Sequence, residues 1–177
     1  MPFVDITMDQ SLINSQMGSI AIAIFFVIVL VGAILRSLKN GFLAAIPIIA
    51  TMVLLFGFMG LTGISLNIAT VLVASVALGI GIDYAIHIIA HFKSSLKKNK
   101  EVYKAVEESI FVSGKAIIIN VISVAAGFLV LLLSDMVPLQ YFGLLIALSM
   151  ISSCLGALTL LPSLLILINK KNNHYES

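Results

Sequence analysis

Three residues able to handle a proton stand close together inside an apolar run. Asp83, Tyr84 and His87 fall between Ile68 and Ala90, in the stretch Gly79-Ile-Gly-Ile-Asp-Tyr-Ala-Ile-His87. That run is long enough to cross a bilayer. An ionisable group at its centre costs about 2.5–3.5 kcal/mol on insertion scales, so such groups are functional candidates by default, usually in ion or proton paths. No Lys or Arg lies at the depth of Asp83 in the sequence. A carboxylate held away from water and cations readily takes up a proton, which is what a reversible proton carrier requires. Tyr84, at i+1, points about 100° away around the same helix. His87, at i+4, shares the face of Asp83 one turn on. It is either a second relay group or a polar residue near the helix end. Gly79 and Gly81, at i−4 and i−2, let a neighbouring helix approach closely beside the carboxyl group.

The elements that must position these groups are membrane helices. The chain has 177 residues, 60% of them hydrophobic and only 10% charged. A soluble domain carries about 25% charged residues, so the excess apolar surface implies an all-α integral membrane protein. Five apolar runs are long enough to span: Gly18–Leu35, Gly41–Gly60 (with Pro47 inside it), Ile68–Ala90, about Lys115–Leu133, and Leu139–Ile168. The last exceeds a simple span, which implies tilt, a break near Pro162, or one end at the interface. Residues 18–168 therefore form the transmembrane domain and 169–177 a polar tail. The leader, residues 1–17, is acidic, and Phe3-Val-Asp-Ile6 has some strand character. The leader lacks the basic start of a signal peptide, so this stretch is not expected to be one. Between the third and fourth runs, Val102, Val106 and Ile110 repeat at i, i+4, i+8 opposite Lys104, Glu107 and Glu108. That pattern predicts a short amphipathic helix on the membrane surface.

Every Lys and Arg falls in the first loop, the third loop with the start of span four, or the tail. Asp5, Asp9 and Asp135 fall on the other side. The positive-inside rule then places the N-terminus outside the cell membrane and the C-terminus in the cytoplasm. On span four, counting the same rise from Lys115 as from the end of span three brings Asn120 and Ser123 to the depth of Asp83. Both residues are candidates to touch the relay or, more plainly, to make interhelical hydrogen bonds. The glycines at 57, 60, 63, 79, 81 and 127 read as helix-packing positions. Cys154 is a single small packing residue without a disulfide partner. No phosphate-binding loop, metal-ligand cluster, nucleophile triad or nucleic-acid signature is visible, so neither cofactor, metal nor enzymatic chemistry is expected.

The stretch from Gly79 to His87, followed by Phe92-Lys93, resembles the resistance–nodulation–division (RND) superfamily, in particular its MMPL-type exporters of hydrophobic molecules. Gly63-Ile-Ser-Leu-Asn67 before it and Ala125-Ala-Gly-Phe-Leu-Val-Leu-Leu-Leu-Ser134 after it support the resemblance. The resemblance implies that Asp83 and Tyr84 match the family's proton-relay pair, with the tyrosine reaching the aspartate of an opposite half. It also implies that the five helices are the last five of one half, most like the second. The leader would then be the remnant of an extracytoplasmic porter domain. The expected partners are protons, a lipidic or hydrophobic substrate, the bilayer, and a complementary N-terminal half or further copies of the chain, with no nucleic acid. Two other readings fit the five-helix layout. One is a lipid-binding module like the sterol-sensing domain, and the other is an accessory membrane subunit.

Overall fold

The computed structural model describes residues 2–65, 68–99 and 101–173, and these are helical almost throughout. Helix α1 covers Pro2–Ile34, α2 Leu38–Thr62, α3 Ile68–Asn99 and α4 Val102–Leu129, the last extended by a 3₁₀ turn over Val130–Leu133. Helix α5, Val137–Leu155, continues through a π turn, Gly156–Leu160, into α6, Leu161–Asn173, without a break. No strand occurs among the described residues. In lipid every backbone N–H and C=O must bond within the chain, and a helix meets that demand segment by segment. Four of the rods are long and apolar enough to span a bilayer, and the apolar part of α1, Gly18–Ile34, is a shorter fifth. The protein is an all-α, multi-pass membrane protein.

Helices α2, α3 and α5 form the centre, with α4 against α3 and α5, and α1 resting chiefly on α2. The most enclosed side chains include Ile48, Leu55, Ile88, Ile89, Ile146 and Met150. Apolar side chains on α1 and α4, such as Phe25, Phe26, Ile119 and Ile122, remain exposed, as lipid-facing residues should. Lipid tails are as apolar as Leu, so the helices are held by close packing at small residues. A Cβ on Gly41 would stand 2.4 Å from the Ile28 carbonyl oxygen of α1, and one on Gly143 2.3 Å from the Phe128 carbonyl oxygen of α4. A Cβ on Gly156 would stand 3.2 Å from Pro47 Cβ of α2.

The helix ends explain the turns. After α1, Arg36 takes a left-handed conformation (φ 48°), and the Ser37 and Arg36 amides bond back to the carbonyls of Gly32 and Ala33. This is the Schellman pattern, in which a left-handed residue lets the chain satisfy the last carbonyls of a helix. Gly63 closes α2 similarly (φ 69°), with the Ile64 amide on the Met59 carbonyl. The Lys93 ammonium bonds the Leu35 carbonyl oxygen. That contact puts the first turn and the end of α3 at one end of the bundle, so Arg36, Lys39, Lys93, Lys97 and Lys98 gather there.

Four sequence expectations change. Phe3–Ile6 belongs to α1 and is not strand-like, because no Pro or Gly interrupts the chain between Phe3 and Met17 and the helix continues outward. The amphipathic segment from Val102 is not a separate surface helix. It forms the first turns of α4, and its apolar face meets α3: Ala105, Val106 and Ser109 are buried, and the Ser95 hydroxyl bonds the Glu108 carboxylate. At 1.5 Å per residue, α3 and α4 together extend well past a ~30 Å core as a helical hairpin. Pro162 does not break the last rod. The π turn just ahead of it, closed by the Leu161 amide on the Gly156 carbonyl, accommodates a ring that has no N–H to give and would crowd the preceding turn. The last rod also runs beyond Ile168, to Asn173, through the start of the expected tail.

Candidate functional site

Helix α3 turns Asp83 and Tyr84 in different directions. Asp83 is exposed on the flank of α3, whereas Tyr84 is 4% exposed and points into the bundle. The Tyr84 hydroxyl donates a 2.8 Å hydrogen bond to Asn120 Oδ1 on α4. One turn nearer the lysine-rich end, the Ser113 hydroxyl donates to the His87 carbonyl oxygen at 3.3 Å. These two bonds fasten α4 to α3 at a groove that all four residues line. The groove holds about 560 Å³ and is lined by Asp83, Tyr84, His87, His91, Ser113 and Asn120 among apolar side chains that include Ile80, Ile117 and Met150. Lys93, ten residues beyond Asp83, sits at the level of the first turn. If that level marks the membrane edge, Asp83 lies about 15 Å inside it, near the bilayer midplane.

Gly81 is buried where three helices meet. A Cβ there would stand 3.2 Å from Ile48 Cγ1 of α2 and 3.2 Å from Ser153 Oγ of α5. Gly79 has nothing within 4 Å; it lines a second, almost wholly apolar groove of about 340 Å³ between α1 and α3. Ser123 is exposed on α4 and does not line the Asp83 groove. Gly57, Gly60 and Gly127 likewise have nothing within 4 Å, so they are not packing positions within this chain. Beside Gly81, other glycines pack tightly, among them Gly41, Gly143 and Gly156, and these carry no local sequence signal apart from being small residues in apolar runs. Ser113 and His91 complete the polar lining of the groove. Periodicity places His91 at i+8 from Asp83, and Ser113 is brought in only by the α3–α4 hairpin.

The model of the MMPL family matches residues 5–176. The chain belongs to the MMPL family. Among its relatives, the membrane protein MJ1562 of Methanocaldococcus jannaschii is 27% identical over 160 residues, covering 90% of this chain and 41% of that protein. A membrane protein of Streptomyces coelicolor, SCO6666, is 30% identical over 86% of this chain and 21% of its own length. The transport protein MmpL12 of Mycobacterium tuberculosis is 30% identical over 62% of this chain and 10% of its own length. The chain thus spans less than half the length of these relatives. No solved structure matches it.

Proposed function

We propose that this chain is the membrane domain of a proton-driven MMPL exporter of lipidic or hydrophobic molecules, with Asp83 as the proton carrier. The observation that carries the reading is the exposure of Asp83 on the side of a spanning helix, beside a polar groove. A carboxyl group turned toward lipid is costly at that depth. The face bearing Asp83 is therefore covered in the working protein by another protein element, either a complementary half or a second copy. Tyr84 and Asn120 hold the α3–α4 contact behind it. Protonation of Asp83 removes the charge that disfavours close contact with the covering helix, and deprotonation restores it. Gly81, tightly fitted against α2 and α5, transmits the resulting shift of α3 to the central helices. A single charge crossing a potential of 100 mV supplies about 2.3 kcal/mol. With the lysine-rich end in the cytoplasm, as the positive-inside rule places it, the proton enters from outside and leaves inward.

The test compares Asp83→Asn with wild type in a complete assembly containing this domain, at equal membrane levels. Asn has the shape of the protonated acid but cannot cycle. Gradient-driven export of a hydrophobic substrate should fall to background, and Asp83→Glu should retain part of it. Export by the Asn variant at the wild-type rate, with the same dependence on the gradient, would make Asp83 structural and favour a lipid-binding or accessory role.

A further inference from the structure

Asp83 is not alone on its face of α3. His87 and His91 follow at successive turns, all three are exposed, and all three line the same groove. They form a column about 12 Å long, from the level of Asp83 toward the lysine-rich end. Each step along the helix axis is about 6 Å. Two hydrogen bonds of about 2.8 Å in series through one water cover about 5.6 Å, nearly one step, so one water between neighbours that lean toward each other joins them. The column does not make a metal site: no three His, Cys, Asp or Glu side chains among the described residues are close enough to share an ion.

Among the described residues, the other walls bring no further charge to the column. From α4 the groove receives Ser113 and Asn120 but no titratable side chain, and from α5 only Met150. The titratable groups of α4, Tyr103, Lys104, Glu107, Glu108 and Lys115, and those of α5, Tyr141 and Cys154, do not line it. The Lys115 ammonium sits 4.0 Å over the Phe111 ring. Lys93 is turned toward the Leu35 carbonyl. The remaining lining group able to titrate, Tyr84, gives its proton to the bond with Asn120.

Resting on the reading of Asp83 as the carrier, we propose that His87 and His91 conduct its proton to and from the lysine-rich end of the bundle. The Asp83 carboxyl gives its proton through water to one imidazole nitrogen of His87, making an imidazolium. His87 releases the proton from its other nitrogen to His91, which passes it to bulk water. Both histidines end neutral and Asp83 ends ionised. An imidazole suits this because it can accept a proton on one ring nitrogen while releasing one from the other.

The test is a rapid pH jump on the full chain in lipid bilayers, following the infrared signal of the Asp83 carboxyl, assigned by its loss in Asp83→Asn. His87→Gln and His91→Gln should each slow proton exchange at Asp83 at least tenfold while leaving the equilibrium extent of protonation unchanged. Added imidazole should restore the rate, which a packing defect would not allow. If His87→Gln does not insert, the exposed His91→Gln decides alone. Exchange at the wild-type rate in the double variant, or slowing that imidazole does not relieve, overturns the histidine path while leaving Asp83 as carrier. A spectrum identical in wild type and Asp83→Asn overturns the carrier reading itself, and the path with it.

Discussion

Gly41→Ala isolates the close packing that holds this bundle together. The added Cβ would stand 2.4 Å from the Ile28 carbonyl oxygen, 3.2 Å from the Gly32 nitrogen and 3.3 Å from the Gly32 Cα. All three are backbone atoms, so no side chain can swing aside. Ordinary contact begins near 3.4 Å, so α1 and α2 must separate by about 1 Å at their crossing. Overpacking of this kind costs about 1–3 kcal/mol, and each 1.4 kcal/mol is tenfold in the folded population. Gly57, on the same helix, has nothing within 4 Å. Gly57→Ala should therefore be neutral or gain up to about 1 kcal/mol from the better helix propensity of alanine. Equilibrium unfolding of both variants in mixed micelles, at matched lipid fraction, gives the difference directly. Equal stability of the two would refute the inferred contact between α1 and α2.

Tyr84→Phe removes the 2.8 Å bond to Asn120 and should cost about 0.5–1.5 kcal/mol in the same unfolding assay, with Asn120→Ala giving no further loss in the double variant. Ser95→Ala removes the hydroxyl bonded to Glu108 and should loosen the α3–α4 hairpin, seen as faster backbone hydrogen exchange around residues 94–110. For orientation, Cys154 is replaced by Ser, and single cysteines are placed at Ser94 and Asp135, both exposed. A membrane-impermeant thiol reagent on intact cells should label position 135 and spare 94; the reverse pattern would invert the topology.

The spans were legible because lipid imposes a simple rule: long apolar runs with internally bonded backbone. Asp83 was legible for the same reason, as a charge where charge is costly. Counting equal helical rise from the end of span three and from Lys115 puts Asn120 near the depth of Asp83, and Tyr84, next to Asp83, bonds Asn120. The glycines were less legible. Composition marks Gly79 and Gly81 as equivalent, yet one turns to an open groove and the other is wedged among α2, α3 and α5. Two residues along a helix differ by about 200° in direction, and only the positions of neighbouring helices decide which side is crowded. The stretch from Val102 to Ile110 has one apolar face, as its periodicity implies. Its partner is α3 and not lipid because α4 begins at Val102, directly after α3 ends at Asn99, so the two helices fold back on each other. The π turn at Gly156–Leu160 had only Pro162 to announce it.

The role of Asp83 is tested most directly by an equilibrium pH titration of the chain in lipid bilayers, read by infrared difference spectroscopy of carboxyl groups. The wild-type spectrum should contain a protonated carboxyl signal that appears and disappears reversibly with pH and is missing from Asp83→Asn, while Asp135→Asn keeps it. Identical titrations of wild type and Asp83→Asn would contradict a proton carrier at position 83.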